Sequence, residues 1–269
     1  MVVLNSRRDA LALLDRLRGE PVLHLSTLLC GANRRDVLLE VRRRLSEKEP
    51  CLLVATQVVE AGVDLNFPVV FRAVGPLDRI VQAAGRCNRE GTMDGPGRVV
   101  VFWPEQGREP AGEYASARAQ TEMLLRRPGF DLHDPAVFRE YFEQMYQNVN
   151  TDRDKIQELR RALDYPEVAE KFRLIEDNTV SVIVEYEERD PRREQSRRWL
   201  VERIRREEAL RPGDHRRLQP YVVGLLARDF EASRWAMREI AEGVWLWTGE
   251  YDPVRGIIDV RDDPADVLW

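Results

Sequence analysis

The first hundred residues alternate short β-branched or apolar runs with longer amphipathic stretches, and this alternation constrains the fold more than any other feature of the chain. Extended runs fall at Val2–Leu4, Val22–Leu25, Cys51–Ala55, Val69–Ala73 and Arg98–Phe102. Between them, Arg8–Arg18 and Asn33–Leu45 carry leucines and valines at helical spacing, and Leu77–Asn88 does so more weakly. Strands separated by helical crossovers pair in parallel, and a parallel sheet must be covered on both faces. The expected fold class for residues 1–104 is therefore α/β, a five-stranded parallel sheet with helices on both faces.

The pattern then changes. Glu105–Glu113 is polar and contains Gly107, Pro110 and Gly112, which predicts a linker or rim excursion. Helical periodicity follows over Ala115–Arg126, Pro135–Tyr146 and Asp152–Leu163, with Asp134-Pro135 supplying an N-cap and a proline at the first helical position. Thr179–Tyr186 reads as a strand, Ser196–Leu210 as a highly charged helix and Gln219–Leu226 as another strand. Val244–Thr248 and Gly256–Val260 read as a short hairpin. Residues 105–269 are thus expected to form a smaller, mixed α+β C-terminal module.

Composition excludes several classes. With 43% apolar and 33% charged residues the chain suits neither a disordered tail nor a membrane protein. No apolar run approaches the ~20 residues of a spanning helix, and Asn5, Arg7, Arg8 and Asp9 leave no room for a signal-peptide core. Cys30, Cys51 and Cys87 are an odd number without C-x-x-C spacing, so neither a disulfide framework nor a cysteine-rich zinc site is expected. These features predict a soluble cytoplasmic protein with no membrane partner. Residues 1–104 carry 15 basic and 12 acidic side chains while the remainder carries 27 and 35, so only the first part is mildly suited to a polyanion.

Two segments stand apart from scaffold. Thr56-Gln57-Val58-Val59-Glu60-Ala61-Gly62-Val63-Asp64-Leu65 begins where the third strand ends, the edge at which parallel sheets bind ligands. Gly62 permits close backbone approach, Thr56 can bond a phosphate and Asp64 can accept from a ribose hydroxyl; an ordinary strand-to-helix loop is the competing reading. The second segment is Gln82-Ala83-Ala84-Gly85-Arg86-Cys87-Asn88-Arg89-Glu90-Gly91. Arg86 and Arg89, three apart, would project from one helix face and invite an anion between them, as phosphoryl transfer requires. The bland alternative is a solvated helix in an arginine-rich chain.

In this order and spacing, T-x-V-x-E-x-G-V-D followed by Q-A-A-G-R-C-N-R resembles motifs V and VI of superfamily 2 helicases. The wording A-T-Q-V-V-E-A-G-V-D-L and P-L-D-R-I-V-Q-A-A-G-R-C-N-R-E-G is similar to the helicase-nuclease of type I CRISPR interference systems. V-V-L-N-S-R-R-D-A resembles motif IV, and T-V-S-V-I-V-E-Y, L-Q-P-Y-V-V and Tyr251-Asp252-Pro253 resemble the family's C-terminal part more loosely. The resemblance implies that residues 1–104 are the second RecA-like lobe of an ATP-dependent single-stranded DNA translocase. It implies that Gly62 and Asp64 contact the nucleotide, that Gln82 and Arg86 contact its phosphates and that Arg89 is an arginine finger. Thr56, Ser6, Thr27 and Arg7 become expected contacts to the DNA backbone, although serines and threonines at strand ends also cap helices. The tryptophans Trp199, Trp235, Trp245 and Trp247 are read first as core or interface and second as base-stacking groups.

Equally informative is what the sequence lacks. There is no G-x-x-x-x-G-K-[ST], none of the three lysines (Lys48, Lys155, Lys171) follows a glycine, and no D-E-A-D or D-E-x-H run is available for magnesium. His24, His133 and His215 are too few for a histidine-aspartate nuclease, and Asp134 before Pro135 suits a helix cap better than a metal, so no metal site is expected. The resemblance therefore implies the trailing half of a larger machine. Its expected partners are single-stranded DNA, a first RecA-like lobe with a nuclease domain, and a CRISPR surveillance complex; its cofactor would be ATP with magnesium, the metal held mainly by the first lobe. Two alternatives stay open: another superfamily 2 DNA or RNA helicase lobe, and a non-catalytic lobe that binds nucleic acid or a protein.

Overall fold

The computed structural model describes residues 1–258 apart from 61, 94, 106–111, 149–151, 153 and 173–178. Gly107, Pro110 and Val260, which figured in the expected linker and hairpin, lie outside the described residues.

The chain opens with β1 (Val2–Val3), α1 (Arg7–Arg16), β2 (Val22–Leu25), α2 (Gly31–Ser46), β3 (Leu52–Ala55), a 3₁₀ turn at Gln57–Val59, β4 (Val69–Ala73), α3 (Leu77–Ala84) and β5 (Arg98–Phe102). All five strands pair in parallel, in the order β2-β3-β1-β4-β5. Alternate strand side chains enter two cores. Val3, Leu25, Leu53, Ala55 and Val70 pack with Val41 of α2 and Ala83 of α3 on one face. Leu4, Val54 and Ala73 pack with Ala10 and Leu14 of α1 on the other. The expected α/β sheet layer is what forms, because the β-branched runs are buried from both sides.

Beyond the sheet, α4 (Glu113–Leu125) and α5 (Pro135–Asn148) form a pair anchored on α3 by the fully buried Tyr141, whose hydroxyl accepts from the Leu77 amide at 3.3 Å. Asp134 does cap α5, accepting from the Ala136 amide at 2.9 Å. The region expected to be one helix over Asp152–Leu163 contains α6 (Ile156–Arg161), followed by α7 (Tyr165–Lys171). The rest comprises β6 (Thr179–Ile183), α8 (Pro191–Glu207), α9 (Asp214–Leu218), β7 (Val222–Leu226), α10 (Ala227–Ala232), β8 (Met237–Ala241), β9 (Val244–Trp247), β10 (Tyr251–Asp252) and β11 (Gly256–Ile257). A second sheet runs β7-β6-β9-β8.

Here the expected hairpin is corrected. Val244–Trp247 pairs antiparallel with β8 and parallel with β6, while Gly256–Ile257 pairs with Tyr251–Asp252. Strand β8 was not anticipated because Arg238 and Glu239 interrupt its apolar pattern, and a register shift lies between Glu239 and Ala241. The strand expected from Gln219 starts at Val222, since Gln219–Tyr221 is a 3₁₀ turn.

The second sheet does not stand clear of the first sheet's layer. Its core, which includes Val184, Leu200, Ile204, Val223 and Trp247, also takes in Cys30 and Ala32 from the start of α2. Polar contacts reinforce the seam: Asn33 Nδ2 donates to the Tyr251 hydroxyl at 3.0 Å and to the Pro253 carbonyl at 2.9 Å, and the Tyr186 hydroxyl donates to Asp36 at 2.9 Å. A Cβ on Gly256 would meet the Leu28 carbonyl oxygen at 2.3 Å, and φ there is +85°, so only glycine fits against this turn.

Candidate functional site

The carboxyl edge of the parallel strands positions the first group of candidates. Ser6 follows β1, Thr27 follows β2 and Thr56 follows β3. Ser6 is buried and its Oγ accepts from the Asp9 amide at 3.0 Å, making it the N-cap of α1. Arg7 is also buried, with Nη2 at 3.4 Å from Asp229 Oδ2 of α10. Thr56 is buried and its side chain does not cap the 3₁₀ turn that follows. Thr27 is the exposed member of the four.

The second group is divided between the loop from the 3₁₀ turn to β4, which carries Gly62 and Asp64, and α3 with the segment after it, which carry Gln82, Arg86 and Arg89. The expected shared helix face for Arg86 and Arg89 does not form, because α3 ends at Ala84 with Gly85 as its cap. The chain then joins the segment before β4: the Phe67 amide donates to the Arg86 carbonyl at 2.8 Å and the Asn88 amide to the Phe67 carbonyl at 3.0 Å. A strand-like bridge and a continued helix cannot use the same backbone groups, so the two arginines diverge. Arg86 is buried and gives its Nε to the Val59 carbonyl at 3.0 Å and its Nη2 to the Glu60 carbonyl at 2.7 Å. Arg89 stays near the surface, with Nε at 3.0 Å from Asp64 Oδ1; the two side chains are 44% and 66% exposed. Asp64, expected to meet a ribose hydroxyl, is thus engaged by Arg89.

Gly62 has φ +70° and open space where a Cβ would stand. Gln82 Oε1 is buried without a hydrogen-bond partner. A cleft of about 240 Å³ lined by Arg42, Leu45, Asp64, Leu65, Asn66 and Glu90 adjoins the Arg89–Asp64 pair. Small-molecule sites are typically ~300–1,000 Å³, so this surface by itself does not enclose a nucleotide. No cluster of three or more metal-ligating side chains occurs among the described residues.

Sequence reasoning missed the ionic frame beneath these loops. Arg72, on β4, is completely buried; its Nη1 donates to Asn5 Oδ1 at 2.6 Å and to the Ala73 carbonyl at 2.7 Å. Its Nη2 lies 2.9 Å from Glu60 Oε1, close enough for an ion pair although off hydrogen-bond alignment. Arg79 Nη1 approaches the other Glu60 oxygen at 3.5 Å. Burial pushes the Glu60 carboxyl up, against the pull of Arg72 and Arg79. The available signal was a lone arginine within the V-V-F-R-A run, since a charge inside a central parallel strand survives only if it is paired.

Residues 1–92 match the family model described as CRISPR-associated nuclease/helicase Cas3, C-terminal. A CRISPR-associated nuclease/helicase Cas3 from Haloferax volcanii is 51% identical over 70 residues, 26% of this chain and 8% of that protein. One from Methanothermobacter thermautotrophicus is 22% identical over 151 residues, 55% of this chain and 18% of that protein. Among solved structures, T. fusca Cas3 with AMPPNP superposes over 96% of this chain and 38% of its own, with TM-score 0.59 and 17% identity. A chain of a pre-nicking CRISPR RNA-guided surveillance complex does so over 96% and 40%, with TM-score 0.58 and 18% identity. Sheet order and neighbours together define a RecA-like fold. Within that class, residues 1–92 are similar to the C-terminal region of Cas3 helicase-nucleases, and the chain spans well under half the length of the relatives it matches. No helix among the described residues is long and apolar enough to cross a membrane.

Proposed function

We propose that residues 1–104 supply the second RecA-like lobe, and residues 105–269 an accessory domain, of an ATP-driven single-stranded DNA translocase in CRISPR defence. The observation that carries the reading is the pairing of motif-V and motif-VI elements. Arg86 clamps the Val59 and Glu60 carbonyls while Arg89 remains accessible on the same loop system. Gly62 with its open approach and Gln82 with its unpartnered buried oxygen fit the edge of a nucleotide site. ATP would supply the hydrolysable phosphoanhydride, and solved Cas3 structures carry ATP or AMPPNP. Arg89 is the finger: its planar fork neutralises charge that develops on the phosphoryl oxygens. Arg86 acts chiefly by holding the motif-V backbone. Thr27 is the exposed DNA-phosphate contact, and Thr56, buried at the end of β3, would add to it only on being uncovered. Ser6 would add to them only while still capping α1, and Arg7 only by leaving Asp229. The P-loop, most magnesium ligands and the nuclease would come from a first lobe and nuclease domain, with recruitment by a surveillance complex.

The deciding experiment is steady-state ATP hydrolysis by this chain alone and with a first RecA-like lobe added as a second chain, each with and without single-stranded DNA. The chain alone should show no appreciable turnover, and the pair should show DNA-stimulated turnover. Robust hydrolysis by the chain alone, or none by the pair, would overturn the reading.

A further inference from the structure

Glu60 and Asn5 belong to different parts of the sheet edge. Asn5 forms the turn after β1, next to the α1 cap; Glu60 follows the 3₁₀ turn after β3, two residues before Gly62. Both are buried, and the fully buried Arg72 touches both, through Nη1 to Asn5 Oδ1 and through Nη2 to Glu60 Oε1. A second tie runs directly between the turns, as Gln57 Nε2 donates to the Asn5 carbonyl at 2.6 Å. The C-terminal section joins as well, because the Tyr114 hydroxyl of α4 donates to the same Asn5 Oδ1 at 2.7 Å. Gly75 makes room for that hydroxyl, since a Cβ there would stand 2.6 Å from it. Arg79 of α3 completes the ring on Glu60.

A buried guanidinium with a planar, rigid fork has few ways to rearrange without stranding a partner. A shift of the Asn5 turn must therefore move Glu60, with Gly62 two residues on, and the carbonyls that hold Arg86. We infer that Arg72 is a positioning residue that couples the nucleic-acid turns to the nucleotide loop, with Tyr114 carrying the state of α4 into the same junction. The inference rests on the proposed function for the meaning of the two ends, but not for the linkage itself.

Two variants spare the buried charge balance. Tyr114→Phe removes one hydroxyl, and Arg72→Lys keeps a cation facing Glu60 while losing the fork. Amide hydrogen exchange on the chain itself reads the linkage. In both variants, residues 57–60 and 86–88 should exchange about tenfold faster, with global unfolding by urea little changed for Tyr114→Phe. If only the surroundings of Asn5 and α4 loosen, Arg72 transmits nothing and the inference falls. A second arm adds the first lobe. DNA-stimulated kcat should drop about five- to tenfold in Tyr114→Phe, while the ATP KM and the half-saturating DNA concentration move less than twofold. An equal loss of DNA affinity, or an unchanged kcat, would overturn the coupling. Absence of DNA stimulation in the wild type would instead sink the proposed function and leave the exchange result to judge the linkage.

Discussion

Two arginine–carboxylate pairs hang from one short loop, and they differ in almost every physical respect. Glu60 with Arg72 is sealed at 0% exposure on both sides, whereas Asp64 with Arg89 is 66% and 44% exposed. In the sealed pair, removing one partner strands a charge away from water and costs about 3–5 kcal/mol. In the open pair, water replaces either partner, and the attraction is worth about 1 kcal/mol or less. The sealed pair therefore behaves as framework. The open pair behaves as a parking place from which Arg89 can leave at little cost.

The largest effect expected from this contrast is kinetic. With a first lobe supplied, Arg89→Ala should lower kcat about 10³-fold and Arg89→Lys should recover little, while urea unfolding of either matches the wild type. A fall in stability comparable to the kinetic loss would break the contrast, since Arg89 would then be framework too. Next comes Arg86→Ala, which leaves the Val59 and Glu60 carbonyls without their donors. It should cost about 2–4 kcal/mol in urea unfolding, whatever its kinetic effect. An unchanged midpoint would show that Arg86 is as loosely held as Arg89.

The seam with the C-terminal sheet offers a third test through His24. Its Nδ1 meets the Val254 carbonyl at 2.7 Å, and burial holds its pKa down at about 4, against 6.5 for a free imidazole. The fold thus accommodates the neutral ring, and the unfolded chain takes up the proton first. Stability from this site is complete above pH 6.5 and is lost as pH falls from there towards 4, by about 1.4 kcal/mol per pH unit at most. The raised Glu60 carboxyl works in the opposite sense, favouring the fold at low pH. His24→Asn, whose amide can still donate to Val254, should therefore flatten the His24 component in urea unfolding between pH 4 and 6.5. An unchanged slope would show that the histidine is not sealed. The smallest effect is Asp64→Asn, which should shift stability by less than about 1 kcal/mol; a larger loss would mean that the open pair is structural.

The first sheet was legible because its five strands are nearly pure apolar runs, which is what burial on both faces demands. The second was not. Strand β9 turns back on Met237–Ala241 through Glu242-Gly243, but its other neighbour is Thr179–Ile183, more than sixty residues upstream, and no local turn signal encodes that parallel pairing. At the candidate site the sequence pattern singled out residues that do gather, Arg86 on the Val59 and Glu60 carbonyls and Arg89 on Asp64, but helical spacing misplaced their directions. Whether Phe67 would claim the Arg86 carbonyl depends on a tertiary pairing that periodicity does not contain. Tyr114 gave no signal, and Arg72 only that of a lone charge in an apolar strand without naming its partners, since the partners are 109 and 67 residues away in sequence.

Gly256 against Leu28 has a consequence for how such a chain matures. The turn that presents Thr27 is braced by Tyr251, Pro253 and Ile257, segments synthesised more than two hundred residues later. Contacts that distant form late, after a long loop has closed, and domains generally begin to fold as they leave the ribosome. Until Tyr251, Pro253 and Ile257 have been made, the Leu28 turn, Cys30 and Asn33 lack their covering, even where the parallel sheet has already formed. Nascent chains stalled before Tyr251 should therefore carry a formed sheet with an open flank, which gives a holding chaperone a defined interval in which to act.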